Sequence, residues 1–485
     1  MSSFFPDQGR TRVFGSRKAG QEGNLPVCRS RKPAENADPG KKGHLWMETK
    51  KNPIQSNLPG RSTPKMKRNI GFVSTRFSGT DGVTLEASKW AEVFKDDGHR
   101  CFWFAGELER DPSKSLLVPE AHFQHAQTRW INENVFGRKG RKSSVTDTIH
   151  ALKTLLKIRL QEFIEQFKID LLVVENALTI PMHIPLGVAL TEYIAETLIP
   201  TIAHHHDFYW ERTRFSVNAV GDYLRMAFPP NLPNIGHVVI NSEAQEELAL
   251  RTGISSTIIP NVLDFENPPM VNDKSAMDLR QLIGLTPDDV MILQPTRIIQ
   301  RKGIEHAVEL VKELKDPRYK LVISHEAGDE GHDYAEWLKE DARSQGVDLR
   351  LFNVHISDPY MDQQKKENRY TLWDIYPHAD FITYPSLYEG FGNAFLEAIY
   401  FKKPLLINRY AIFVRDIEPQ GFDLAVMDGY LTQKTIRSVK EILESPERRK
   451  KMVDHNYKIA TRHYSFAVLR KWLRTLLVNF FGINT

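Results

Sequence analysis

The feature that most constrains the fold is a recurring unit: a short apolar run, a polar or glycine-bearing turn, then a longer stretch of helical periodicity. NIGFVST (Asn69 to Thr75) leads through RFSGTDG into an amphipathic helix running from Val83 towards Asp96. RCFWFA (Arg100 to Ala105), IDLLVVEN (Ile169 to Asn176) and the runs Pro200 to Ala203 and His237 to Asn241 follow, with a helix around Val145 to Phe167. Strands this apolar belong to a parallel sheet covered on both faces by helices. IIPNVLDFENPP, at 258–269, then reads as a linker, and the alternation restarts. VMILQPT (Val290 to Thr296) precedes a helix from Gly303 to Lys315 that sets Ile304, Val308, Val311 and Leu314 on one face, and YKLVISH, LRLFNV, ADFITYP and KPLLIN supply further strands. The expected fold is α/β: two doubly wound domains, 66–262 and 263–460, facing across a cleft where the strand ends bind ligand.

Residues 461–485 contain SFAVLRKWLRTLLVNFF, in which Phe466, Leu469, Trp472, Leu473, Leu476 and Phe480 form an apolar stripe. A helix closing back on the protein is the expected use, and a peripheral membrane-surface helix the second reading. No apolar run reaches the ~20 residues needed to span a bilayer, and two cysteines, Cys28 and Cys101, make neither a disulfide framework nor a metal set. A cytoplasmic protein is expected. The net charge of +4 hides an asymmetry: residues 1–68 hold 15 Lys/Arg against 5 Asp/Glu, and the remainder is mildly acidic. The segment 1–65 is expected to be a disordered basic tail ahead of an ordinary start at MKRNIGFVST, and no nucleic-acid partner is expected.

Two motifs carry chemistry in the second half. TRIIQRKG (Thr296 to Gly303) lies between a strand and a helix and brings Arg297 and Lys302 to a helix N-terminus, an anion site suited to a diphosphate. YEGFGNAFLEA (Tyr388 to Ala398) sets Glu389 in a loop and Glu397 one turn into a helix, with Asn393 as the expected N-cap. Gly390 and Gly392 let the backbone of this turn approach a ligand. Carboxylates accept paired hydroxyls, so two of them flanking a diphosphate site suggest a nucleotide-sugar. A glycosidase pair is the competing chemistry, but it leaves Arg297 and Lys302 without a purpose. In the first half, SGTDGV brings Gly82 to a helix start. TIAHHHDFYWER follows a strand with three histidines, which as neighbours on an extended segment cannot all reach one metal ion. Glu175 and Asn176, at the end of IDLLVVEN, are expected to face the cleft and meet the acceptor. The polar stretch from Ala105 to Val145 reads as a solvated loop, with binding of an acidic acceptor as the alternative.

With these motifs in place, the chain from Asn69 onward resembles the retaining GT-B glycosyltransferases of family 4, which include sucrose-phosphate synthases. EGFGNAFLE matches that family's Glu-x7-Glu motif, and TRIIQRKG stands at the expected distance upstream. The resemblance implies two Rossmann-like domains and metal-independent hexosyl transfer from a GDP- or UDP-sugar. Arg297 and Lys302 would hold the donor diphosphate, Glu389 the sugar hydroxyls and Glu397 the ribose. Backbone amides from Phe391 to Asn393 would face sugar and phosphate, Gly82 would approach the phosphate, and His206 would lie beside the sugar, with His204 the runner-up. No Asp-x-Asp pair occurs, so cations and helix ends would take the place of a metal. HHHDFYWER with NRYAIFVRDIEP suggests a subgroup near the mannosylglucosyl-phosphoglycerate synthases, with a small phosphorylated or acidic acceptor. That second segment departs from the glycine-rich loop of many family members. A nucleotide-sugar epimerase and a catalytically inactive nucleotide-sugar-binding module stay open as alternatives.

Overall fold

The computed structural model describes residues 67–79, 81–268, 279–325, 332–352 and 372–482. The expected tail, the end of the linker at Pro269 and the last residues of LRLFNV lie outside them.

Thirteen strands form two wholly parallel sheets among these residues. The first contains β1 (Asn69–Val73), β2 (Arg100–Ala105), β3 (Ser115–Leu117), β4 (Leu171–Glu175), β5 (Thr201–His205), β6 (Ile235–Val239) and β7 (Ser256–Ile258), in the order β3-β2-β1-β4-β5-β6-β7. The second contains β8 (Val290–Gln294), β9 (Tyr319–Ile323), β10 (Leu349–Leu351), β11 (Phe381–Tyr384), β12 (Leu405–Asn408) and β13 (Ala425–Met427), in the order β10-β9-β8-β11-β12-β13. Each sheet therefore reverses its winding once, between β1 and β4 and between β8 and β11. Ligand crevices of open parallel sheets form at these switch points.

The central strands are short and nearly continuous in apolar side chains because both faces are covered. On one face of the first sheet Leu152, Leu156, Leu160 and Phe163 of the Ser143–Phe167 helix pack with Leu172 and Val174. On the other, Trp90 and Phe94 of the Gly82–Asp96 helix pack with Ile70, Phe72 and Val173. In the second sheet the expected face of the Glu305–Leu314 helix, Ile304, Val308, Val311 and Leu314, is buried. Two parts of the sequence reading need correction. The stretch from Ala105 to Val145 is no solvated loop: it holds edge strand β3 and the Ala126–Val135 helix, with Val118, Ala121, Ile131 and Val135 in the core. The weak strands β3, β7 and β13, three residues each, carry too little pattern to stand out.

The chain passes between the sheets twice. Leu263 N–H donates to the Tyr464 carbonyl at 3.0 Å, so the outgoing linker and the returning chain run side by side. The final helix, Phe466–Phe481, then lies on the first sheet's core, burying Phe466, Leu469, Leu473, Leu476 and Leu477. Trp472, counted in the expected stripe, is 36% exposed, and Leu477 takes its place inside. Arg474 clamps Asp97 through two bonds of 2.6 and 2.7 Å.

Candidate functional site

The site is built where the two switch points meet. In the second sheet β8 runs into a turn, Gln300–Lys302, and β11 into the loop that carries Glu389. Leu387 N–H donates to the Arg301 carbonyl at 2.9 Å, stitching the two loops together. The Lys302 ammonium consequently bonds the Glu389 carboxylate directly, and Arg301 stands 3.4 Å from its other oxygen. Burial pushes the Lys302 ammonium down, with Arg301 and Arg297 pushing the same way against Glu389. Burial also raises the Glu389 carboxyl, but Lys302, Arg301 and Ser386 outweigh it and hold it below its ordinary value. Arg297 is exposed on the rim. It is near enough to help burial push His325 down to about 4.

Gly392, at φ +121°, turns the loop into the Asn393–Tyr400 helix. A Cβ there would strike the Tyr410 hydroxyl, which is itself bonded to the Phe391 carbonyl at 2.7 Å. Gly392, not Asn393, occupies the N-cap position, and no side chain caps this helix. The amide of Asn393 is instead turned to the first domain, where its Oδ1 accepts from Asn261 Nδ2 at 2.7 Å. One turn on, Glu397 accepts from the buried Tyr376 hydroxyl at 2.8 Å. Burial drives the Glu397 carboxyl up, against the pull of Tyr376, Lys89 and Lys302.

The first domain closes over this turn. A Cβ on Gly82 would lie 3.8 Å from Asn393 Nδ2, and one on Gly390 3.7 Å from the His206 carbonyl. Asn241 Nδ2 donates to the Gly390 carbonyl at 2.6 Å, and Ser242 N–H to Asp416 at 2.8 Å. The divergent segment NRYAIFVRDIEP thus reaches the first domain, with Arg415 bonding Glu246 at 2.6 Å as well. The helix beginning at Gly82 differs from its counterpart at Asn393. Asp81 caps it by accepting from Val83 N–H and Thr84 N–H, so its own carboxylate fills the positive end. Two turns along this helix Lys89 bonds Glu86 at 2.8 Å, both buried, and Glu86 also accepts from Val262 N–H in the linker.

Of the three histidines, His206 is the least buried, its side chain 10% exposed. His204 is 1% exposed and stacks on Trp90 with ring centroids 4.3 Å apart, and His205 is bonded away to Thr179 and His237. Glu175 does not open onto the cleft as expected for an acceptor contact: it is fully buried and accepts from both His204 and His206. Both ends of the Asn176 amide are likewise engaged, with His206 N–H and with Asp207. The register of β4 against β5 explains this, since it pairs Glu175 with His204. Among the described residues, Glu175, His204 and His206 are the one set of three His, Cys, Asp or Glu side chains whose ligand-type atoms lie within 4.8 Å of one another. Their direct hydrogen bonds make them a self-contained trio. Sequence reasoning missed Arg301, Tyr376, Tyr410, Asn241, Asn261 and Lys89. Arg301 was legible inside QRKG; the others belong to the site only through distant parts of the chain.

Among the described residues no helix is long and apolar enough to cross a membrane. Residues 278–459 match the family described as glycosyl transferases group 1. The mannosylglucosylglycerate synthase of Petrotoga mobilis is 34% identical over 387 residues, covering 73% of this chain and 85% of that protein. The synthase of the same name from Thermotoga maritima is 31% identical, covering 82% and 96%. Among solved structures, a glycosyltransferase from Rickettsia africae superposes with a TM-score of 0.61 at 15% identity, covering 85% of this chain and 98% of that one. Sucrose-phosphate synthase from Thermosynechococcus elongatus gives 0.58 at 14% identity, with 86% and 100% covered. Anabaena HepE in complex with UDP-glucose gives 0.56 at 12%, with 85% and 100% covered. At such identities the structural likeness speaks for the fold, two Rossmann-like halves of the GT-B type.

Proposed function

Because this chain belongs to the group 1 glycosyltransferases, we propose that it is a retaining hexosyltransferase, moving mannose from GDP-mannose to a hydroxyl of a small acidic acceptor of the glucosylglycerate type. The observation that carries this reading is the Lys302–Glu389 pair beside the uncapped Asn393 helix, with His206 and Gly82 of the other domain closing over it. The names of the two curated relatives support the choice of donor sugar and acceptor.

In the proposed reaction the bond between the anomeric carbon and the diphosphate oxygen breaks while the acceptor oxygen bonds the same face of that carbon. The acceptor's proton passes to the leaving diphosphate. Lys302, Arg297 and the free amides at the Asn393 helix start stabilise the charge that accumulates there, doing what a metal does in other transferases. Glu389 takes the sugar hydroxyls, its carboxylate kept ionised by Lys302, and Glu397 takes the ribose. The closed cleft keeps out water that would hydrolyse the donor.

The test is nucleotide release from GDP-mannose and UDP-glucose, with glucosylglycerate and its phosphorylated form as acceptors. Lys302→Ala and Glu389→Ala are expected to lower turnover by roughly 10²-fold or more while circular dichroism stays unchanged. Near-normal turnover in either variant overturns the assignment. Activity is expected to survive a chelator.

A further inference from the structure

β4 ends at Glu175, and the next residue turns the chain in the left-handed region, Asn176 at φ +58°. This turn is pinned to the end of β5 from both directions. Asn176 N–H donates to the His204 carbonyl at 3.1 Å, Asn176 Oδ1 accepts from His206 N–H at 3.0 Å, and Asn176 Nδ2 donates to Asp207 at 3.1 Å. The backbone on either side of the His206 ring is therefore fixed. The ring itself is held by Glu175, whose Oε2 lies 3.1 Å from His206 Nε2 and 3.0 Å from His204 Nδ1.

A carboxylate that accepts two hydrogen bonds has no proton to return. Against the upward push of burial, the two imidazoles hold the Glu175 carboxyl down at about 2. Both hydrogens must then come from the rings, so His206 carries N–H at Nε2 and Nδ1 is the nitrogen left over. We propose that Glu175 is the positioning residue for His206: by accepting the Nε2–H bond it fixes the tautomer and presents Nδ1 to the donor sugar.

This assigns Glu175 a role beneath the catalytic surface. Its catalytic meaning rests on the transferase reading above; the tautomer does not. The groups facing His206 are Glu175 from β4, His204 and His205 from β5, Asp207 beside it, and Glu86 from the Gly82–Asp96 helix. Burial pushes the imidazole down, but Glu175, with Glu86 and Asp207, outweighs it and raises it above the ordinary value. His204 goes the other way, lowered chiefly by burial. Protonation is thus favoured at His206 over His204. When His206 is charged, Nδ1–H donates to a sugar hydroxyl; when neutral, Nδ1 can only accept.

The experiment is a nitrogen-15 imidazole NMR titration of the full chain without ligand, for the wild type and for Glu175→Gln and Glu175→Asp, with nucleotide release measured across pH in parallel. In the wild type neutral His206 is expected to carry its proton on Nε2. In Glu175→Gln its midpoint is expected to fall by roughly one pH unit or more, and turnover by about 10²-fold with little change in donor KM. The alkaline limb of the rate profile should move to lower pH, and Glu175→Asp should restore part of both. A purely structural carboxylate would change the melting temperature without moving the titration. Nδ1 protonation of the neutral His206 ring in the wild type, or an unmoved midpoint in Glu175→Gln, overturns the proposal. If Glu175→Gln does not fold, the wild-type tautomer decides. If no donor is turned over by the wild type, the transferase reading fails while the titration still judges the Glu175–His206 pair.

Discussion

Glu389 and Glu397 show how much a residue's surroundings decide. Both are carboxylates of one motif, yet Lys302 and Arg301 hold the first below its ordinary value while burial lifts the second. Tyr376 is the hydrogen-bond donor that offsets part of that burial. Tyr376→Phe removes it, and a lost bond to a charged group costs about 1.5–3 kcal/mol. Nucleoside diphosphate affinity, read by titration calorimetry, should weaken by roughly 10- to 100-fold. Gly392 is the second residue-scale test. Gly392→Ala must hold a side chain at φ +121° against the Tyr410 hydroxyl, so it should lose about 1–3 kcal/mol of stability and much of its donor affinity. Unchanged melting would show that the turn relaxes freely. The residues of this motif were legible as a pattern because glycine and carboxylate spacing is local; Tyr376 was not, because nothing near it in sequence names its partner.

At the scale of elements, the strongest periodic segments were readable and the weak ones were not. Arg100–Ala105 is found as a strand over the residues expected, and the helix from Val83 is extended by one residue to Gly82. The Ala126–Val135 helix escaped notice because only Thr128, Ile131 and Val135 of its ten residues are buried. The Phe466–Phe481 helix belongs to the end of the chain but to the core of the first domain. Leu469, fully buried there, is its test: Leu469→Ala should cost roughly 2–5 kcal/mol. Thermal unfolding should shift downward in ligand-free protein. A shift of under a degree would mean that this helix contributes little to the first domain's core.

The whole molecule stores several neutral imidazoles. Burial pushes His183, His237 and His325 down to about 4, against an ordinary value of 6.5. Between those limits the unfolded chain binds protons that the folded chain refuses, so stability falls as pH drops from 6.5 towards 4. Glu175 adds to the loss at lower pH still, since its contribution is complete above 4.5 and disappears towards 2. His206, raised in the folded state, opposes the trend. Urea denaturation at pH 7 and pH 5 should give a lower midpoint at pH 5; equal midpoints would mean these rings ionise without unfolding.

Sequence alone determined the α/β class, the two doubly wound halves and the glycine turn between Glu389 and Glu397, because strand alternation, helical periodicity and turn chemistry are properties of neighbours along the chain. That His206 is the least buried of the three histidines, and that Glu175 is buried against it rather than opening outward, only the tertiary structure decided. Both depend on β4 lying beside β5 in a register that pairs Glu175 with His204. Strand neighbours in a parallel sheet are joined by long crossovers, so their side-chain partners are separated by some thirty residues and carry no local signal. The closure of Asn241 onto Gly390, 149 positions away, is decided in the same manner by two domains meeting.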